Sequence, residues 1–242
     1  MMADLVYQQV ITDLNKRIMA NEFSDKKLPD ERSLSEQYQV SRSSIKRALN
    51  VLANQGLIFK KRGSGTFINP LYLKNQSSFK YEGTNLGITD SLNTEGAKPS
   101  IQLLDFQVIP ASLELQQDLF LAPDEFVYEI KRLRLLDEQA FMIETGYIPI
   151  KLVPELNRQV VSGSIFNYVQ KTLHSAVTKS FLSISADSSN AEDQQLLNLQ
   201  PVEPVGVMSG IFFLDDGTPF EVSNMRLHYR YMKYTTFVST NG

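Results

Sequence analysis

The chain has 242 residues, 42% of them hydrophobic, which suits one large or two modest packed domains. It has no cysteine and two histidines far apart, which excludes disulfides and thiolate metal sites and leaves neither a metal nor a cofactor to be expected. The net charge of −3 hides a division: residues 1–74 hold 12 Lys and Arg against 7 Asp and Glu, a net of +5, and the other 168 residues hold 12 against 20, a net of −8.

A basic head on an acidic body is the charge distribution of a nucleic-acid reader with a separate second module. No apolar run approaches the roughly 18 residues a membrane helix needs, and the N-terminus lacks a signal-peptide core, so a soluble, cytoplasmic protein without a membrane partner is expected.

The head reads as three helices and a hairpin. Tyr7, Val10, Ile11, Leu14 and Ile18 recur at the spacing of one helix face. Asp30 is an N-cap for a short second helix over 31–38, with Leu34 and Tyr38 inward. Ser41 caps a third helix in which Ile45, Ala48, Leu49 and Leu52 form the buried stripe, and Gly56 stops it. The opposite side of that helix carries Arg42, Ser43, Lys46, Arg47 and Asn50, side chains that bond base edges and phosphates when a helix enters the DNA major groove. Two short strands, 57–59 and 66–68, are joined by Lys60-Lys61-Arg62-Gly63-Ser64-Gly65, whose glycines allow a tight turn and whose cations suit a phosphate-lined groove. An ordinary solvated helix and a charged turn would explain each piece alone. Capping, periodicity and turn chemistry agreeing along one stretch favours a DNA reader.

Residues 69–78, NPLYLKNQSS, read as a polar connector, so the expected division is a winged helix-turn-helix domain over 1–69, a linker over 70–78 and a second domain over 79–242. Beyond the connector, a short helix is expected over 89–94, a strand over 101–108 and a helix over 110–119 with Leu113, Leu115 and Leu119 inward. Strands over 127–136 and 140–149 flank an Asp137-Glu138 turn. An amphipathic helix over 164–173 rests on Ile165, Tyr168, Val169 and Leu173, followed by a strand over 177–186 and a helix over 191–197. Strands over 205–214 and 219–229 flank Asp215-Asp216-Gly217, the strongest hairpin signal in the chain, and 234–239 is expected to close the sheet. Hairpins outnumber crossover units, so this domain is expected to be an α+β antiparallel sheet with helices against it.

Within it, Arg132 and Arg134 share one face of a strand because side chains alternate. Two neighbouring arginines repel unless an anion or carboxylates lie between them, and Glu144 and Glu221 are candidates for the latter. A pocket gripping a phosphate or carboxylate and a salt-bridged pair on a solvated strand remain equal readings of these residues.

The stretch from Leu28-Pro29 through Glu31-Arg32, Val40-Ser41-Arg42 and Gly56-Leu57-Ile58 to Arg62-Gly63-Ser64-Gly65-Thr66-Phe67 resembles the GntR family of bacterial transcription factors. The resemblance implies a dimeric reader of pseudo-palindromic operator DNA, touching it through Arg32, Arg42, Ser43, Lys46 and the Arg62-Gly63 tip, and Ser41 and Arg47 of the third helix join them as DNA-binding candidates. Residues 128–134, 144–149, 163–166 and 216–223 look like the effector-binding (UTRA) domain of the HutC subfamily, whose fold is similar to chorismate lyase. That implies a homodimer sensing a small anionic effector such as a phosphorylated sugar, with Thr89, Arg132, Arg134, Glu144, Ser164 and Glu221 at the pocket. A repressor of sugar uptake or metabolism genes is the function expected. An enzyme built on the lyase-like domain and an effector-independent DNA-binding protein are the alternatives. No nucleophile–base pair or metal constellation supports the enzyme.

Overall fold

The computed structural model describes residues 2–74 and 98–234, which belong to two compact units considered separately below. The first unit holds α1 (Met2–Met19), α2 (Glu31–Tyr38), α3 (Arg42–Asn54), strands β1 (Ile58–Lys61) and β2 (Gly65–Ile68), and α4 (Pro70–Lys74). Local chemistry sets its boundaries. The Asp30 carboxylate accepts the Ser33 N–H at 2.8 Å at the start of α2, and Ser41 Oγ accepts the Ser44 N–H at 3.2 Å at the start of α3. Gln39 in the left-handed region ends α2. Val10, Leu14 and Ile18 of α1 meet Leu34, Ile45, Leu49 and Leu52, and Leu57, Ile58 and Ile68 seal the core from the hairpin side.

The hairpin is stapled to the helices. Leu28 N–H donates to the Thr66 carbonyl at 2.9 Å and Ile68 N–H to the Lys26 carbonyl at 2.7 Å, which makes residues 26–28 a third edge to the wing. Lys60 and Lys61 lie inside β1, so the turn is narrower than the sequence implied, with only Arg62, Gly63 and Ser64 between the strands. Gly63 at φ 74° supplies the left-handed step. The proline at 70, read as part of a connector, opens α4 instead, and Tyr72 and Leu73 rest against the head core.

The second unit is a six-stranded antiparallel sheet in the order β3-β4-β5-β8-β7-β6, built from β3 (Pro99–Pro110), β4 (Phe126–Leu136), β5 (Gln139–Pro149), β6 (Val177–Ser188), β7 (Pro204–Leu214) and β8 (Pro219–His228). Between the strands come α5 (Leu113–Leu119), α6 (Arg158–Val161), α7 (Ile165–Leu173) and α8 (Ala191–Leu197). One face of the sheet carries the largest apolar cluster, in which Ile130, Met142, Ile148, Phe212 and Leu227 meet Val161 of α6 and Ile165, Phe166 and Val169 of α7. The opposite face packs Leu133, Ile143, Val205 and Val207 against Leu197 of α8. Lys131 on that face donates to both oxygens of Glu192, at 2.6 and 2.7 Å, which accounts for a cation among leucines.

Three expectations need correction. Helix α5 begins at Leu113 rather than residue 110, because Pro110 still pairs with Phe126 in the sheet and Ser112 takes the N-cap. Leu113 is therefore exposed rather than inward, as is Leu173 at the end of α7, where Phe166 fills the core instead. Tyr234 lies in no strand, and the remainder of the segment expected to close the sheet, like the helix expected over 89–94, falls outside the described residues.

Candidate functional site

In the head, α3 turns one side to its core and the other to solvent. Arg42, Ser43, Lys46 and Asn50 are exposed on the latter, and Arg62 and Gly63 are exposed at the wing tip. Arg32 is also exposed and ion-paired with Glu36, 3.0 Å away on the next turn of α2. Lys60 links the wing to both helices. Its Nζ donates to Asn50 Oδ1 at 3.1 Å and to Glu31 Oε1 at 3.4 Å. Neither bond could be read from sequence, since each joins residues brought together only by the folded hairpin. Two candidates are more structural than the sequence implied. Ser41 Oγ is engaged as the helix cap and by the hydroxyls of Ser43 and Ser44, at 2.8 and 2.9 Å. The Arg47 guanidinium lies 3.9 Å from the centroid of the Tyr7 ring, which ties it to α1.

In the sheet domain, Arg132, Arg134, Glu144 and Glu221 are brought together and all are buried, at 5% relative exposure or less. The solvated-strand reading of the two arginines therefore fails, while their salt bridge is real. Arg132 stands directly across from Glu144 in the β4–β5 register, and its Nη2 lies 2.7 Å from Glu144 Oε2. Arg134 grips the same carboxylate with two bonds, Nε to Oε2 at 3.1 Å and Nη2 to Oε1 at 3.2 Å. Arg132 Nη1 also donates to the carbonyls of Gly163 at 3.2 Å and Val161 at 3.4 Å, fixing the loop before α7, while its Nε is buried without a hydrogen-bond partner.

Glu221 enters from β8, two strands from the arginines. It fits because position 146 is glycine: a Cβ there would overlap the Glu221 carboxylate. Burial first, and then the neighbouring Glu144, push the Glu221 carboxyl up to about 8, against the pull of Arg132 and Arg134. Glu144 moves the other way. Burial resists its ionisation, but the two arginines outweigh that and hold it below the usual carboxylate range. At neutral pH the four groups thus carry two positive charges against one negative, an excess of about one buried positive charge.

Beside this cluster is a cavity of about 200 Å³ lined by Ser100, Arg134, Phe141, Ser162, Gly163 and Ser164, among others. Ser164 is the N-cap of α7, its Oγ accepting the Asn167 N–H at 3.4 Å, and a capping hydroxyl still has its own proton to donate. Of the sequence candidates, Arg134 and Ser164 line the cavity, whereas Arg132, Glu144 and Glu221 are not among its lining residues. Thr89 lies outside the described residues. The sequence reading missed the start of β3, Phe141 and the Ser162-Gly163 turn. Only the small-residue run Ser162-Gly163-Ser164 signalled a tight loop.

Comparison with known proteins fits both units. Residues 6–68 match the family described as bacterial regulatory proteins, gntR family, and residues 94–233 match the UTRA domain. The chain is 31% identical to the HTH-type transcriptional regulator GmuR of Bacillus subtilis over 91% of its own length and 92% of the relative's. It is 26% identical to the mannosyl-D-glycerate transport/metabolism system repressor MngR of Escherichia coli, over 95% of this chain and 94% of MngR. The crystal structure of the possible transcriptional regulator YydK from Bacillus subtilis superposes with a TM-score of 0.77 at 26% identity, covering 97% of this chain and 99% of that one. The relatives are regulators rather than enzymes, which sets the lyase alternative aside. The chain belongs to the GntR family of bacterial DNA-binding transcription regulators, in the HutC-type arrangement that joins a helix-turn-helix head to a UTRA domain.

Proposed function

We propose that this regulator is a repressor of sugar uptake or metabolism genes, bound as a homodimer to a pseudo-palindromic operator and released by a small anionic effector, a phosphorylated sugar. The observation that carries the effector reading is the buried group of Arg132, Arg134, Glu144 and Glu221, left net positive by the upward shift of Glu221, beside a cavity lined in part by Arg134 and Ser164. An excess buried charge is costly, and an anion in the cavity offsets it. Arg134 and Ser164 would meet the phosphate, together with N–H groups at the start of α7. Glu144 and Glu221 set the charge of the site, and Arg132 holds the 161–163 loop that forms its wall. Thr89 is retained as a further donor on the strength of the family resemblance. A name such as that of MngR, which ties a similar regulator to transport and metabolism of a sugar-acid conjugate, supports the same class of regulated genes.

On the DNA side, Arg32, Arg42, Ser43, Lys46 and the Arg62-Gly63 tip would contact the operator, with Ser41 and Arg47 holding α3 in place. The DNA-reading domain ends with the wing and α4, and residues after 78 form the effector-binding and dimerisation domain.

A thermal-shift screen of hexose and amino-sugar phosphates, beside the same sugars without phosphate and inorganic phosphate alone, tests the effector reading. One phosphorylated sugar should raise the melting temperature and its unphosphorylated parent should not. Arg134→Ala should weaken that ligand about tenfold to a hundredfold, the worth of one or two charge-assisted bonds. Arg134→Lys keeps the charge but loses the paired bonds that fix the guanidinium on Glu144, and should fall between. Equal stabilisation by phosphorylated and plain sugars would overturn the anion assignment.

A further inference from the structure

The last described residues of the sheet domain are largely aromatic, and the fold fastens them down. Strand β8 ends at His228, and a 3-10 turn, Tyr229–Tyr231, follows it. Tyr229 Oη donates to Glu203 Oε1 at 2.8 Å, and the His228 ring stacks on Tyr229 with centroids 4.9 Å apart. Met232 lies over Gly206, where a Cβ would come within 2.6 Å of the Met232 Cγ. These ties bring Tyr231 against β5. Its hydroxyl donates to Gln139 Oε1 at 3.2 Å, and its ring packs on Phe141 with centroids 5.7 Å apart.

Phe141 is itself placed by an irregularity. Arg134 pairs with Met142 and Leu135 with Ala140, so Phe141 is an extra residue with no counterpart across the β4–β5 hairpin. In a regular strand Phe141 and Met142 would face opposite ways, yet both lie in the main core cluster. The bulge turns the Phe141 ring to the side of Arg134, where it is the one aromatic side chain among the residues lining the cavity.

We propose that Tyr231 is a positioning residue for the effector: by backing Phe141 it sets the size of the cavity and restricts the ligand to a phosphorylated sugar of a single ring. The inference rests on the effector reading above and adds what limits the ligand. A volume of about 200 Å³ is below the roughly 300–1,000 Å³ of sites for drug-sized ligands, so it suits one ring beside a phosphate and not two. Arg134 and Ser164 supply polar contacts, and the Phe141 ring supplies a flat apolar wall for the carbon-bound hydrogens of a sugar. Tyr231 is not among the lining residues, so it acts through Phe141. Removing its ring would leave a void into which Phe141 can swing, because surroundings close only partly around a deleted side chain.

Calorimetry on the full-length protein tests this, with the hexose and amino-sugar phosphates of the screen above as single-ring probes and maltose and cellobiose phosphates as two-ring probes. Wild type should bind a single-ring phosphate more tightly than either two-ring phosphate by about tenfold or more. Tyr231→Ala should shrink that ratio by about tenfold. Tyr231→Phe keeps the ring and loses only the bond to Gln139, so it should hold the wild-type ratio. If Tyr231→Ala weakens both ligand classes equally and leaves the ratio unchanged, Tyr231 is merely structural and the proposal falls. Phe141→Leu trims the same wall from the cavity side and decides the matter where Tyr231→Ala does not fold: a smaller ratio supports the proposal, and an unchanged one overturns it. A wild type that prefers two-ring phosphates would overturn the size limit and leave the anionic effector standing. Binding of none of these phosphates would remove the effector reading itself.

Discussion

Glu221 is a carboxylate that the fold keeps away from water and next to another carboxylate, and that conflict is measurable. Its carboxyl is shifted from the ordinary 4.5 up to about 8, by burial and then by Glu144. Between those two values the folded protein keeps a proton that the unfolded chain releases. Stability contributed by this group is therefore whole below about pH 4.5 and is lost progressively as pH rises through about 8. Glu144, shifted down, acts only at the acid end, where its stabilisation is lost as pH falls, so it does not mask the trend. The melting temperature of the sheet domain should fall from pH 5 to pH 8.5, and Glu221→Gln, neutral throughout and of nearly the same shape, should flatten that fall. An unchanged pH profile in the glutamine variant would show that Glu221 does not titrate in this window. The alternation of Arg132 and Arg134 was legible in the sequence because it is a property of one strand. Their burial was not, because it depends on Glu144 across the hairpin, on Glu221 two strands away and on carbonyls near residue 163.

At the scale of elements, α2 and α3 emerged with the boundaries their caps imply, since Asp30 and Ser41 act within three residues of themselves. Helix α4 escaped notice because five residues hold too little pattern, and α5 was begun too early because Pro110 suits a helix start as well as a strand end. Helix α3 also shows that one exposed face can do two jobs. Arg42 points away from the head, while Arg47 covers Tyr7 of α1. Arg42→Ala should therefore weaken specific operator binding by about 1–3 kcal/mol per half-site with little change in melting temperature. Arg47→Ala should lower the stability of the head by about 0.5–1 kcal/mol, the worth of a surface cation–π contact, and weaken operator binding less. Gel shifts and thermal melts of both variants decide this. A loss of affinity for Arg47→Ala equal to that for Arg42→Ala, with unchanged stability, would place Arg47 on the DNA instead.

The whole molecule combines an exposed basic head with a buried cationic site, and salt separates the two. Residues 1–74 carry a net charge of +5 and the rest −8, so the head alone is drawn to DNA. The cations offered to phosphates, Arg32, Lys46, Lys61 and Arg62, are all exposed, and the proposed dimer would present each twice. Neutralising roughly eight phosphates gives a log–log slope of operator affinity against salt of about −7. Raising monovalent salt from about 50 to about 200 mM should then cost on the order of a ten-thousandfold in affinity. Arg132 and Arg134 are at most 5% exposed, and buried charges are screened far less than surface ones. Over the same salt range, the affinity for the stabilising sugar phosphate should change by only a fewfold. Fluorescence anisotropy with labelled operator, and calorimetry with the ligand, measure the two slopes on one preparation. A ligand slope as steep as the operator's would place the anion on the exposed head rather than beside Arg134, and a shallow operator slope would remove the exposed cations from the phosphate backbone.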